Sequence, residues 1–208
     1  MTYTLIILNL VVFLFSSLPE FANTLYMRGE VHGYEVLYLE EWYRLISAMF
    51  LHNGLTHILF NMVSLYMVGS VMERLFSRMA YLGIYFVSGI VGGLFFIYFN
   101  PNGSAVGASG AIFGIFGALA GFSFVYRKTH TAQFMEFIKQ FGIILLLNFL
   151  LGVLFENIAM SAHIGGLLSG MLMGALIARF PFWVVWINLS FTLLMVFFYY
   201  YLQWLYIG

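Results

Sequence analysis

Counted between Asp, Glu, Lys and Arg, the chain falls into long uncharged runs: 1–19, 45–72, 79–126, 140–155, 157–178 and 180–208. A helix of about 20 apolar residues crosses the hydrocarbon core of a bilayer. The third run holds Asn100-Pro101-Asn102-Gly103 near its middle, a turn signal that divides it into two helices. The pattern predicts seven membrane-spanning helices, near 3–19, 54–74, 79–99, 106–126, 134–155, 160–178 and 182–206. The fifth has a short uncharged stretch and reaches spanning length only if Glu136 and Lys139 extend to the surface. The first has neither a basic leader nor a small-x-small cleavage site, so it reads as a retained helix rather than a signal peptide.

Basic residues set the expected orientation. Arg74, Arg78, Arg127, Lys128, Lys139 and Arg179 follow spans two, four and six, whereas only Arg28 and Arg44 follow spans one, three and five. This asymmetry puts the N-terminus in the cytoplasm and the C-terminus outside. The segment between spans one and two is about 34 residues long and acidic, with Glu20, Glu30, Glu35, Glu40 and Glu41. A loop of that length is commonly functional.

Composition agrees with lipid as the solvent. Of 208 residues, 63% are hydrophobic and only 8% charged, against roughly 25% charged in a soluble domain. The expected fold class is an all-α membrane protein, a polytopic bundle forming one membrane-embedded domain over 1–208. A formal net charge of zero argues against nucleic acid as a partner. The chain has no Cys, which excludes disulfides, thiol nucleophiles and Cys-ligated zinc. It also has no Asp, which excludes a Ser-His-Asp triad and an aspartyl dyad.

Polar residues inside spans are costly and usually functional. Here they share a depth. Span two opens with His52, Asn53, His57 and Asn61, span four with Ser109, and span six with Ser161 and His163. All three run in the same direction, so their first turns lie in one layer near the outer surface. Glycines supply lateral closeness: Gly110, Gly114, Gly117 and Gly121 in span four, and Gly166, Gly170 and Gly174 on the His163 face of span six. Small residues at such spacing let membrane helices approach backbone to backbone.

Gly107-Ala108-Ser109-Gly110 places a hydroxyl in a first helical turn, where unpaired N–H groups and the helix dipole favour an oxyanion. His163 is the available base on the facing helix. His57 and Asn61, four apart on one face, are either a structural pair or donors to a developing oxyanion. A metal site at His52, His57 and His163 is a competing idea, but H-E-x-x-H is missing and Glu156 is the only acid near that layer.

These residues resemble the rhomboid family of intramembrane serine proteases over about 42–178. The motifs are Tyr43-Arg44, then His52 with His57-Ile58-Leu59-Phe60-Asn61, Gly107-Ala108-Ser109-Gly110, and Ala162-His163-Ile164-Gly165-Gly166 with Gly170. The resemblance implies a bacterial-type six-helix core plus one C-terminal helix, about 182–206. It implies Ser109 as nucleophile and His163 as general base, a dyad that uses no acid. Asn61 and His57 would stabilise the oxyanion with the Ser109 N–H. Arg44 would brace the first loop. Glu73 would be a structural hydrogen-bonding residue near the inner end of span two, its plainer reading being an ion pair with a nearby Arg. Phe113 stands where some members carry Tyr, keeping the packing on His163 and losing the hydroxyl.

The expected function is therefore a multi-pass serine endopeptidase of the cell membrane. It would cleave transmembrane protein substrates near the outer face of the bilayer, with no cofactor. The alternative is an inactive rhomboid-like protein that binds transmembrane helices as chaperone or adaptor. Such a protein has no reason to keep both Ser109 and His163. A transporter would show internal repeats, and the sequence shows none.

Overall fold

The computed structural model describes residues 1–129 and 159–208 and, between them, 131, 132, 135, 136, 139 and 143. Apart from those isolated positions, the fifth predicted span, 134–155, lies outside the described residues. The chain opens with α1 (Thr2–Ser16) and α2 (Pro19–Gly29). It continues through a two-residue strand β1 (Val31–His32), a π turn (Tyr34–Tyr38), α3 (Arg44–Ser47) and a 3-10 turn (Ala48–Phe50). Then come α4 (Leu55–Leu75), α5 (Arg78–Phe99), β2 (Ser104–Ala105), α6 (Ser109–Tyr126), α7 (Met160–Arg179) and α8 (Val184–Ile207). Among the described residues, α4, α5, α6, α7 and the stretch Pro181–Ile207 are long and apolar enough to cross a membrane. This is a multi-pass helical bundle.

The helix of the first predicted span, 3–19, ends at Ser16, where the chain bends. α1 has 15 residues, about 22 Å of helix, short of the ~30 Å core. The Ser16 and Ser17 hydroxyls both donate to the Phe13 carbonyl, closing the last turn. Pro19 cannot donate into a continuing helix and holds Leu18 extended. α2 then leaves at 117° to α1, and the two count as one span only as a bent pair. The other ends follow the sequence. Ser77 caps α5 by accepting from the Ala80 N–H, and Asn100 to Gly103 form the turn that breaks the long run.

Three helices, α5, α6 and α7, carry the centre. A Cβ on Gly166, Gly170 or Gly174 of α7 would collide with the carbonyl oxygen of Gly110, Gly114 or Ala118 of α6. From the other side, Gly117 and Gly121 of α6 meet the carbonyls of Leu167 and Met171. The two backbones are therefore in contact along about three helical turns at these glycines. Gly92 of α5 closes on the Ala162 carbonyl, so all three helices meet beside Ser109 and His163.

The long acidic segment is not a loop but a folded cap. β1 pairs antiparallel with β2, Val31 against Ala105 and His32 against Ser104. Arg44 is buried and braces this cap: Nε donates to Glu41 Oε2 at 2.6 Å, and the guanidinium also donates to the carbonyls of Met27 (2.8 Å) and Glu30 (3.3 Å). Glu73 does not pair with an Arg. Its Oε1 accepts from the Thr2 N–H at 2.7 Å and faces the Met1 amino group at 2.5 Å. It thereby ties α1 to the far end of α4. Arg74, adjacent in sequence, points elsewhere on the helical wheel.

Candidate active site

Ser109 is the first residue of α6, and His163 lies in the first turn of α7. The glycine contacts bring these two helix ends together. His163 Nε2 and Ser109 Oγ are 2.7 Å apart, hydrogen-bond distance for a nucleophile and its base. Phe113 is one turn below Ser109, and its ring stacks on the imidazole with centroids 4.4 Å apart and planes 5° from parallel. The ring fixes the imidazole plane, so Nε2 stays aimed at the hydroxyl. Nδ1 is buried and has no hydrogen-bond partner among the described residues.

The wall opposite His163 is built from the start of α4. Gly107 has φ +127°, a conformation that strains an L side chain. A Cβ there would also lie 2.8 Å from His57 Nε2. Glycine thus lets the His57 ring rest on the backbone two residues before Ser109. The Asn53 N–H donates to His57 Nδ1 at 3.3 Å. That leaves Nε2 carrying the ring proton in the neutral form, as a donor toward the site. Asn61 is buried one turn further along α4 and donates to the His57 carbonyl at 3.0 Å. One amide hydrogen is thus used within the helix, and Nδ2 carries a second.

His52 is fully buried and links three segments. Its Nδ1 donates to the Phe50 carbonyl at 3.3 Å, and its Nε2 accepts from the Ala108 N–H at 3.5 Å. Its ring meets His57 edge to face at 5.0 Å. Tyr26 of α2 donates to its carbonyl at 2.5 Å. Burial, then the neighbouring His57, lowers its pKa to about 4, so it is a neutral ring with assigned donor and acceptor. Sequence reasoning placed His52 in the polar layer without seeing this link to the residue before the serine. Ser161, another member of that layer, accepts from Asn100 Nδ2 at 3.3 Å, at the end of α5.

No three His, Cys, Asp or Glu side chains among the described residues are grouped to hold a metal ion. A narrow recess of about 30 Å³ opens beside Ser109. Its wall includes Val31 and Leu45 of the cap, Gly93 and Phe96 of α5, and Ala105 and Ala162. Apart from Ala162, the motifs did not point to these residues, because apolar side chains in an apolar chain carry no signal of their own. The arrangement supplies a hydroxyl, a base held by a stacked ring, first-turn N–H donors and a neighbouring apolar recess. That set can perform acyl transfer.

The family model of the Rhomboid domain matches residues 39–180. The rhomboid protease GluP of Bacillus subtilis is 39% identical over 134 residues, 62% of this chain and 25% of GluP. YdcA of the same organism is 37% identical over 171 residues, 81% of this chain and 84% of YdcA. RHOMBOID-like protein 4 of Arabidopsis thaliana is 33% identical over 165 residues, 79% of this chain and 41% of the plant protein. The chain thus spans a quarter of GluP and about two-fifths of the plant protein, and most of YdcA.

Proposed function

The chain belongs to the rhomboid family, and from that premise we propose that it is an intramembrane serine endopeptidase working through a Ser109–His163 dyad. The observation that carries this reading is the 2.7 Å contact between Ser109 Oγ and His163 Nε2 under the Phe113 ring. Ser109 Oγ attacks the scissile carbonyl carbon while His163 Nε2 takes the hydroxyl proton. The tetrahedral oxyanion receives hydrogen bonds from the Ser109 N–H, His57 Nε2 and the free Asn61 amide hydrogen. His163 then gives its proton to the leaving amine. Water hydrolyses the acyl-enzyme with His163 again as base.

The substrates are transmembrane proteins held in the bilayer. With the N-terminus cytoplasmic, Ser109 lies toward the outer side of a cell membrane, so the outer part of a substrate helix is what reaches it. A helical peptide hides its carbonyls, so the segment must unwind before attack. Gly and Pro lower that cost by roughly 1 and 3 kcal/mol relative to Ala. The narrow recess beside Ser109 favours a small residue just before the cut.

Labelling of the purified protein with a serine-reactive fluorophosphonate tests the reading, with Ser109→Ala as control. The label should fall on Ser109 alone. A single-span substrate with small and helix-breaking residues in its outer half should be cut, and its Leu-replaced version should be cut far more slowly. Turnover by Ser109→Ala would sink the mechanism.

A further inference from the structure

α8 supplies no side chain to the dyad or to its oxyanion donors. It runs parallel to α5 and is fixed to it at both ends. Asn188 Nδ2 donates to the Met79 carbonyl at 3.4 Å, and the Tyr206 hydroxyl donates to the Tyr98 carbonyl at 2.7 Å. Most of its surface is apolar and exposed, as suits lipid. Two of its polar side chains, Tyr199 and Gln203, face the cap. The Tyr199 hydroxyl donates to the Val36 carbonyl at 3.1 Å. Gln203 Nε2 donates to the Leu37 carbonyl at 2.9 Å and to the Tyr199 hydroxyl at 3.1 Å. The two carbonyls belong to the π turn, whose i→i+5 pattern forms a single turn. Near a bilayer, a carbonyl left without a donor is costly.

The contact leads to the site. Val36 and Leu37 are buried in one apolar cluster with Leu202 of α8, Val31 and Leu45 of the cap, and Phe96 of α5. Val31, Leu45 and Phe96 are also wall residues of the recess beside Ser109. Val31 pairs with Ala105, another wall residue, two positions before Gly107. A displaced π turn would therefore move the recess wall while leaving the α6–α7 contact untouched.

We propose that α8 is a specificity clamp: Tyr199 and Gln203 hold the cap in place and so limit the size of the residue accepted just before the cut. The inference rests on the endopeptidase reading. Tyr199 and Gln203 are positioning residues and touch no reacting atom.

The test compares two substrates that differ only in that residue, Ala or Phe, by their kcat/KM ratio. The wild type should prefer Ala. In Tyr199→Phe/Gln203→Leu the preference should narrow by about tenfold, the scale on which a pocket discriminates side-chain size. Fluorophosphonate labelling of Ser109 should persist, since the dyad stands on other helices. Gln203→Asn, which retracts the amide by one methylene, should give a smaller shift in the same direction and serves if the double variant does not fold. Asn188→Leu cuts the bond at the opposite end of α8 and should leave the ratio unchanged. An unchanged ratio in both clamp variants would overturn the proposal, as would an equal shift in Asn188→Leu. A wild type that neither labels nor cleaves would overturn the peptidase reading, and the clamp with it.

Discussion

At the scale of single residues, the dyad depends on side chains that do no chemistry themselves. Phe113 holds the His163 plane by stacking alone. An aromatic contact of this kind is worth about 0.5–1.5 kcal/mol beyond area. Phe113→Ala should therefore lower kcat by about 2- to 13-fold with little change in KM, whereas Phe113→Tyr should be tolerated. A pure KM effect of the Ala variant would assign the ring to substrate binding instead. His52 offers a pH-dependent test. The folded protein takes up a proton on His52 only near pH 4, the unfolded chain near 6.5. Stability from this side chain is complete above pH 6.5 and is lost as pH falls toward 4, on the order of 3 kcal/mol in all. The thermal midpoint in detergent should drop over that window, and His52→Gln should flatten the drop. Parallel curves for the two proteins would show that another group titrates. That Ser109 and His163 share one layer was legible from the few polar residue types at that depth, whereas Phe113 entered only through the family resemblance. Gln203 and Tyr199 were not legible. Tyr199-Tyr200-Tyr201 gives three tyrosines on successive faces, and nothing in the sequence says which one meets a carbonyl.

Among the elements, the α6–α7 contact decides whether the two halves of the dyad meet. Any side chain on Gly170 collides with the Gly114 carbonyl, main chain that cannot rotate away. Overpacking of this type costs about 1–3 kcal/mol even where neighbours yield. Gly170→Leu should separate the helices, abolish fluorophosphonate labelling of Ser109 and lower the melting temperature. Retained labelling would mean that α6 and α7 are held together by something other than this ladder. The ladder was legible because its period matches a helix face and glycine is distinctive in an apolar chain. Most helix ends were legible too, since charges and Asn-Pro-Asn-Gly punctuate the runs. The end of α1 was not: the uncharged run continues past Ser16, and only the hydroxyl closures and Pro19 end the helix. The cap was read as a loop because a two-residue strand and a π turn leave no periodicity to detect.

For the whole molecule, direction in the membrane is the property that turns a hydrolase into a selective one. On the orientation proposed from the basic residues, the Ser109 end of the bundle faces outside. α8 runs parallel to α5, so its C-terminal end lies with Tyr98 at that same end of the bundle. A reporter fused after Gly208 should therefore be extracytoplasmic, and an impermeant fluorophosphonate should reach Ser109 in intact cells. A cytoplasmic reporter would invert the map.

Bare main chain between α6 and α7 also bears on how the protein can change over time. A catalytic distance set by side-chain packing can be retuned by compensating substitutions, one methyl at a time. Here each of these contacts already has glycine on at least one side, so no smaller residue can take that place and absorb an error. Drift in this pair of helices is a one-way ratchet toward inactivity, while the cap and α8 stay free to vary. Lineages descended from such a fold should diverge in what they cut, or stop cutting, rather than in where Ser109 stands relative to His163.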